Sequence, residues 1–242
     1  MVEQDCRTVQ VEESGRMTVR SAGGEVSCRL LVSTLPPRLL AHSVTFSPAL
    51  REEEVRIMKE THTWMGESIK AGLTYSSPFW REKQLAGAVQ SQCGPFLQLY
   101  DQSSHDDRLG ALVTLSIVLT LSLIPLQVGF LSPDLSSLTR AERETEVKAQ
   151  LVKMFGPEAE DNLQYWETLW EKEKFTVWCD GKETERPLSQ NNYGHPLYQA
   201  PLLGGRLILG GSETALRGAG FMEGAVNSAA TIMGLITNLL SK

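Results

Sequence analysis

The chain has 242 residues, enough to bury one large or two small cores, and 41% of them are apolar. A formal charge of −6 excludes a general nucleic-acid surface and argues against binding to an anionic membrane. Four scattered cysteines (Cys6, Cys28, Cys93, Cys179) form no CxxC pair and no histidine stands at ligand spacing. The sequence therefore offers neither a metal centre nor a disulfide framework, and fits an intracellular, by default cytoplasmic, setting.

The opening MVEQDCRTVQVEE is polar and has no signal-peptide pattern. Val9, Val11, Met17 and Val19 alternate on either side of a turn at Glu13-Ser14-Gly15. A second turn at Ala22-Gly23-Gly24 and the apolar Leu30-Leu31-Val32 follow, so residues 1–37 read as β-structure. Pro36 and Pro37 end it, since proline has no N–H to give a ladder. Residues 48–62 read as a helix whose acidic first turn, Glu52-Glu53-Glu54, is a solvated helix start rather than a catalytic cluster.

Alternation of Ile69, Ala71 and Leu73 predicts a strand with Lys70 on its other face, an exposed lysine on pattern alone. Trp64, Phe79 and Trp80 are assigned to core packing. Residues 85–92 and 95–100 read as a two-stranded meander. His105 with Asp106 and Asp107 reads as a solvated loop rather than a metal cluster. Residues 109–133 carry no charge, and 111–130 is long enough to span a bilayer. Pro125, the interspersed Thr and Ser, and the lack of a flanking basic cluster argue against a transmembrane helix. Residues 136–155 form the clearest helix, a scaffold element. Thr139 and Glu142 give it a capping box, Val147, Leu151 and Met154 an apolar stripe, and Gly156-Pro157 a stop. His195 has no acid or nucleophile placed beside it.

The stretch 204–229, GGRLILGGSETALRGAGFMEGAVNSA, runs from a short apolar strand through two glycine turns into a helix. Glycine lets bare backbone approach a flat or phosphorylated ligand, and the free N–H groups of a helix start favour negative charge. On spacing alone, a strand–turn–helix with no ligand stays equally open. The segment GGSETALRGAGFMEGAV resembles the closing motif of the flavin-containing amine oxidases, the monoamine oxidase family. The resemblance covers nearly the whole chain. Thr34-Leu35-Pro36-Pro37 matches the end of the family's strand pair, Pro78-Phe79-Trp80 its Pro-Phe-Trp, and Trp170 the tryptophan five residues after an aromatic, here Tyr165.

The resemblance implies an α/β (mixed α+β) fold, an incomplete FAD-linked oxidase architecture. Residues 1–60 and 172–242 would belong to the flavin-binding domain, and residues 61–171 to a mixed-sheet substrate domain. It implies FAD, a small-molecule amine and O2 as the reactants, with imine and H2O2 formed. It places Gly211, Ser212 and Glu213 in a flavin loop and Gly220, Phe221 and Met222 at the pyrimidine edge of the ring. Phe221 also faces the amine, where the family most often has tyrosine. Lys70, nine residues before Phe79, takes the place of a lysine that reaches flavin N5 through a water, and Trp170 walls the site. Some members bond the flavin through a cysteine nine residues after that tryptophan, where Cys179 stands. The family's Gly-Gly-Cys-Tyr is here Val177-Trp178-Cys179-Asp180, so non-covalent FAD is the expectation and one aromatic-cage tyrosine is absent. No GxGxxG pyrophosphate motif occurs in the sequence, which therefore reads as the C-terminal half of such an enzyme. No hydrophobic tail of bilayer length follows the last helix, so the membrane anchor of the animal enzymes is not expected.

The family also has one continuous strand where residues 113–127 stand. Removing them restores Gly110-Ala111-Leu112-Val128-Gly129-Phe130. Val113 requires a codon beginning GT and Gln127 can be coded CAG, the splice-site dinucleotides, so the segment reads as a retained in-frame intron that should disrupt a sheet. Alternatives stay open at this level: a non-catalytic remnant, a membrane protein spanning at 111–130, or a polyamine or L-amino-acid oxidase of the same superfamily. The particular amine and the oligomeric state stay open as well.

Overall fold

The computed structural model describes residues 6–63, 68–91, 93–117, 135, 137–176, 178 and 192–241. Strands β1 (Cys6–Val11), β2 (Met17–Ser21), β3 (Gly24–Cys28) and β4 (Leu31–Ser33) come first. Helix α1 (Pro37–Ser43), strand β5 (Thr45–Ser47) and helix α2 (Glu52–Glu60) follow. Next are β6 (Ser68–Tyr75), α3 (Phe79–Glu82), β7 (Val89–Gln90), β8 (Gln98–Asp101), β9 (Gly110–Ile117), α4 (Arg140–Phe155) and β10 (Gln164–Leu169). The last are β11 (Leu207–Leu209) and α5 (Met222–Leu240). The chain divides into two compact units, Met1–Trp64 with Lys172–Lys242, and Met65–Glu171.

In the unit Met65–Glu171 the strands form one antiparallel sheet, ordered β10-β6-β9-β8-β7. The period of two in β6 turns Ile69, Ala71 and Leu73 to one face, and all three are buried. Helix α4 seals that face with Val147, Leu151 and Phe155 against Leu73, Leu112 and Tyr165. The helix starts where the sequence says it should. Thr139 accepts from the Glu142 N–H, and the Glu142 carboxylate accepts from the Thr139 N–H at 2.7 Å. It carries one feature the apolar stripe does not announce. Arg143 forks onto Glu167 of β10 at 2.9 and 2.6 Å, with both side chains 7% exposed. The Tyr165 hydroxyl donates to the same carboxylate at 2.8 Å. Burial alone would raise the Glu167 carboxyl, but the Arg143 fork and the tyrosine bond outweigh it and hold it below its ordinary value.

In the other unit, β3-β2-β1-β5 form a four-stranded sheet, antiparallel except for the parallel β1·β5 pair. Separately, β4 and β11 pair in parallel, Ile208 opposite Val32. Val9, Met17, Leu40, Met58, Leu207 and Leu209 share one apolar core there. Tyr198 sits in that core, hydrogen-bonded to the Thr61 hydroxyl. Burial pushes its phenol up to about 12, a rise the Thr61 bond opposes and Glu213 reinforces.

Several expectations are corrected. The helix predicted over 48–62 is confined to Glu52–Glu60, and its first turn is not wholly solvated. Glu54 is buried, and its carboxylate accepts from the Arg51 N–H at 2.9 Å and from the Arg51 guanidinium. Pro36-Pro37 ends the β-structure but also opens α1, because proline's fixed φ suits a first helical turn. The meander is shorter than expected, Val89–Gln90 with Gln98–Asp101. β9 continues past Leu112 as far as Ile117, in unbroken register with β6, so Val113 to Ile117 extend the sheet instead of disrupting it. Alternating Val113-Thr114-Leu115-Ser116-Ile117 is itself a strand sequence, which is the physical reason. Residues 118–127 of that segment, and Trp64, lie outside the described residues.

Candidate functional site

The closing stretch folds as strand, glycine turn, short 3-10 turn (Ser212–Thr214), glycine turn and helix. Gly211 has φ 124°, a region open to glycine and costly for other residues. Its N–H donates to the Ser228 hydroxyl of α5 at 3.2 Å, and Ser228 also bonds Thr214 at 2.9 Å, which pins the helix to the loop. Gly224, on the first turn of α5, packs so closely on the Gly218 carbonyl that any β-carbon there would collide with it. The Gly220 N–H donates to the Ser212 carbonyl at 3.2 Å, closing the loop on itself.

The helix this loop delivers has no side-chain cap on the N–H groups of its first turn. Phe221 and Met222 at that start are 67% and 89% exposed. Glu213 is the reverse, 8% exposed, and the Ser212 hydroxyl at 3.0 Å is the only described donor to its carboxyl group. A helix start without a side-chain cap, beside a buried carboxyl group, suits a ligand with an electron-rich flat end and a hydroxyl-bearing chain. FAD has both, and these residues fit it. A pocket of the same unit, between Tyr198, Gln199, Ser228 and Ile232, has room for about one water-sized group.

The predicted site residues of the other unit share one end of its sheet. Lys70 is exposed between buried Ile69 and Ala71, and pairs in register with Thr168. β10 ends one residue later, and Trp170 opens a 3-10 turn. The indole N–H of Trp170 is buried without a hydrogen-bond partner. The face that carries Lys70 also carries Trp166 (50% exposed, opposite Gly72) and Tyr100 (46% exposed, opposite Val113). Trp166 and Val113 lie over Gly72, where a β-carbon would be 3.7 and 3.9 Å from them. Sequence reasoning stopped at Trp170. The alternation of Tyr165, Glu167 and Leu169 against Trp166 and Thr168 carried the signal for β10 and for this exposed aromatic face.

The remaining candidates have ordinary settings. His195 caps a short turn, its Nδ1 accepting from the Leu197 N–H at 3.1 Å. Asp106 pairs with Arg108 at 3.1 Å, and Asp107 pairs with Arg81. Cys179 lies outside the described residues. Its neighbour Trp178 stacks on His42 with ring centroids 5.3 Å apart. No helix among the described residues is long and apolar enough to cross a membrane.

A buried parallel strand running through a glycine turn into an uncapped helix is how α/β proteins hold flat or phosphorylated cofactors. Comparison with known proteins narrows that class, since the profile described as flavin containing amine oxidoreductase matches residues 2–232. The chain belongs to the flavin-containing amine oxidase family, whose cofactor is FAD. A Dictyostelium discoideum protein that bears the name of a flavin-containing monoamine oxidase A is 28% identical, over 90% of this chain and 44% of its own length. The flavin-containing amine oxidase B of Sus scrofa is 28% identical, over 91% of this chain and 40% of its own length. The cyclohexylamine oxidase of Brevibacterium oxydans shares the fold, with a TM-score of 0.77 at 24% identity, over 100% of this chain and 49% of its own. The chain thus spans less than half the length of the relatives it matches.

Proposed function

We propose that the chain carries the ring-holding loop and the substrate-facing sheet of an FAD-dependent amine oxidase that converts a primary or secondary amine to an imine, with O2 reduced to H2O2. The observation that carries this is the closing loop, whose glycine turns, exposed Phe221 and uncapped α5 suit a flavin's electron-rich edge within a family defined by that cofactor. Residues 1–60 and 172–242 serve the flavin and residues 61–171 the substrate.

Bound FAD would supply the two-electron acceptor for the amine's α-hydrogen and hand those electrons to O2. Everything else falls to the protein. The amides of Met222, Glu223 and Gly224 favour negative charge at the helix start, an effect worth roughly 0.3–1 kcal/mol when exposed and more when water is excluded. Gly211 lets the main chain approach closely, and Glu213 accepts from a hydroxyl. Gly220 sets the turn that presents Phe221, which offers a π-face to the amine without a hydroxyl to orient it. Lys70 supplies a cation, through a water, where negative charge develops. Trp170 supplies a flat wall with a spare indole donor. With Gly-Gly replaced before Cys179, the cofactor is held without a covalent bond.

The test is anaerobic bleaching of FAD by a panel of amines, followed by H2O2 release on admitting air. Lys70→Met should slow reoxidation by about 10–100-fold and leave the amine's KM within a factor of two. Equal reoxidation rates for wild type and variant would remove Lys70 from the site. A second reading, that the chain is non-catalytic, is favoured by Val177-Trp178 standing where the family has Gly-Gly and by Asp180 standing in place of a cage tyrosine. A preparation that stays colourless with FAD in every combination would support it. The retained-intron reading of 113–127 is tested by the transcript, where a spliced message joins Leu112 to Val128.

A further inference from the structure

The face of the five-stranded sheet that turns away from α4 has a composition of its own. Register puts Trp166, Gly72, Val113 and Tyr100 in one row across β10, β6, β9 and β8. Three inter-strand steps set the two aromatic residues roughly 14 Å apart. The floor between them is Gly72 and Val113, and Trp166 leans over the glycine, 3.7 Å from where a β-carbon would stand. Both aromatic side chains are about half exposed. Thr168, Lys70 and Gln98 fall in the neighbouring row, so Lys70 stands about 7 Å along β6 from Gly72.

Charge on this face is one-sided. The five strands contain two acids, Glu167 and Asp101, and register sets them opposite Ala71 and Leu112, which pack toward α4. Arg143 holds the first, and Trp80 and Arg81 hold the second. Lys70 is therefore the only charged residue that these described strands place on the outer face. A ring can stack on the Trp166 indole without needing a partner of opposite charge. A second ammonium meets no carboxylate there, and Lys70 opposes what attraction the indole's π-face offers it.

We propose that this face is the subsite for the non-reacting substituent of the amine, with Trp166 selecting an uncharged ring and Lys70, with no acid beside it, rejecting a second ammonium. This rests on the oxidase reading above, through Lys70, and deepens it: the substrate is a ring-bearing monoamine rather than a diamine or polyamine.

The test compares butylamine, benzylamine and diaminobutane, which differ by a ring or by a second charge, on the full chain labelled with fluorotryptophan at neutral pH. Ligand line broadening reads affinity in every variant. The fluorine signal of Trp166, assigned by its loss in Trp166→Leu, reads location. Benzylamine should shift that signal and bind at least about fivefold tighter than butylamine, with diaminobutane weaker than either. Trp166→Phe should keep part of the ring preference. Trp166→Glu should reverse the charge preference, so that diaminobutane binds tighter than butylamine. With FAD bound, Trp166→Leu should raise the KM of benzylamine about tenfold, and leave kcat and the KM of butylamine within a factor of two. No shift of the Trp166 signal by benzylamine at about 50 mM overturns the subsite. Equal affinities for the three amines, or a selectivity unchanged in Trp166→Leu and Trp166→Glu, overturn it as well. Ring amines that bind beside Trp166 while none bleaches FAD leave the subsite standing and sink the oxidase reading. Bleaching in which diaminobutane serves as well as benzylamine does the reverse, so the two failures are distinguishable.

Discussion

The sheet of Met65–Glu171 and the parallel ladder of the other unit reach the same degree of burial by different routes. The sheet connects five antiparallel strands in one ladder and lets a single amphipathic helix, α4, seal one face. Several of its buried polar groups are paired internally, Arg143 with Glu167 and Trp80 Nε1 with Asp101 at 2.9 Å. The ladder buries β11 almost completely, with β4 its one strand partner among the described residues and Leu202 bridging Leu207, and the helix that follows keeps an apolar stripe in the open. Antiparallel pairing is satisfied among strands near one another in sequence. Parallel pairing has to be completed by distant chain. The comparison separates a unit held by one continuous antiparallel ladder from one in which a short parallel pair is buried by packing.

The largest effect should come from breaking the self-sufficient side. Arg143→Ala leaves the Glu167 carboxylate buried beneath α4 without its fork, and should cost about 3–5 kcal/mol in denaturant unfolding. Arg140→Ala, which removes a bond to the Tyr165 carbonyl and an exposed cation–π contact with its ring, should cost no more than about 1.5 kcal/mol. Next comes Gly224→Ala. The added methyl collides with the Gly218 carbonyl, so the start of α5 must shift away from its loop at about 2–3 kcal/mol. Circular dichroism melts would read the loss.

A third prediction is a pH dependence. Burial would raise the Asp101 carboxyl, but bonds from Ser103, the Trp80 indole N–H and the Arg81 guanidinium outweigh it and hold it at about 2. Its folded value lies below the unfolded one, so its contribution is complete above about pH 4 and fades as pH falls toward 2. That contribution is roughly 2 kcal/mol at neutral pH, and Asp101→Asn should flatten this part of the acid-stability curve. The smallest effect sharpens the contrast from the other side. Gly234→Ala, at an exposed position of α5 with open space around it, should stabilise by up to about 1 kcal/mol because alanine is the better helix former.

Much of this was legible in the sequence where a local rule decided it. The alternation of Ile69, Ala71 and Leu73, the Thr139–Glu142 capping box and the glycine turns before Phe221 each need only neighbouring residues, and each is found where the pattern put it. Helix α1 went unread because a proline pair both ends a ladder and starts a helix. The Arg143–Glu167 fork went unread because it joins residues 24 apart through tertiary packing. Glu54 looked like one of three solvated acids until Arg51 turned back on it. Of the site, the loop was visible as a motif. The exposed Trp166 and Tyr100 face became visible only with strand register, since a one-residue slip would turn both side chains inward.

The central claim is that the turn at Gly211 and the start of α5 hold the ring end of FAD. Residue-resolved hydrogen exchange on the chain with about 1 mM FAD, enough to load even a weak site, tests it most directly. The account predicts slowed exchange at Met222, Glu223 and Gly224, with smaller protection at Gly211 to Glu213. FAD that binds while those amides exchange at their unliganded rate, or that protects none of them, would contradict it.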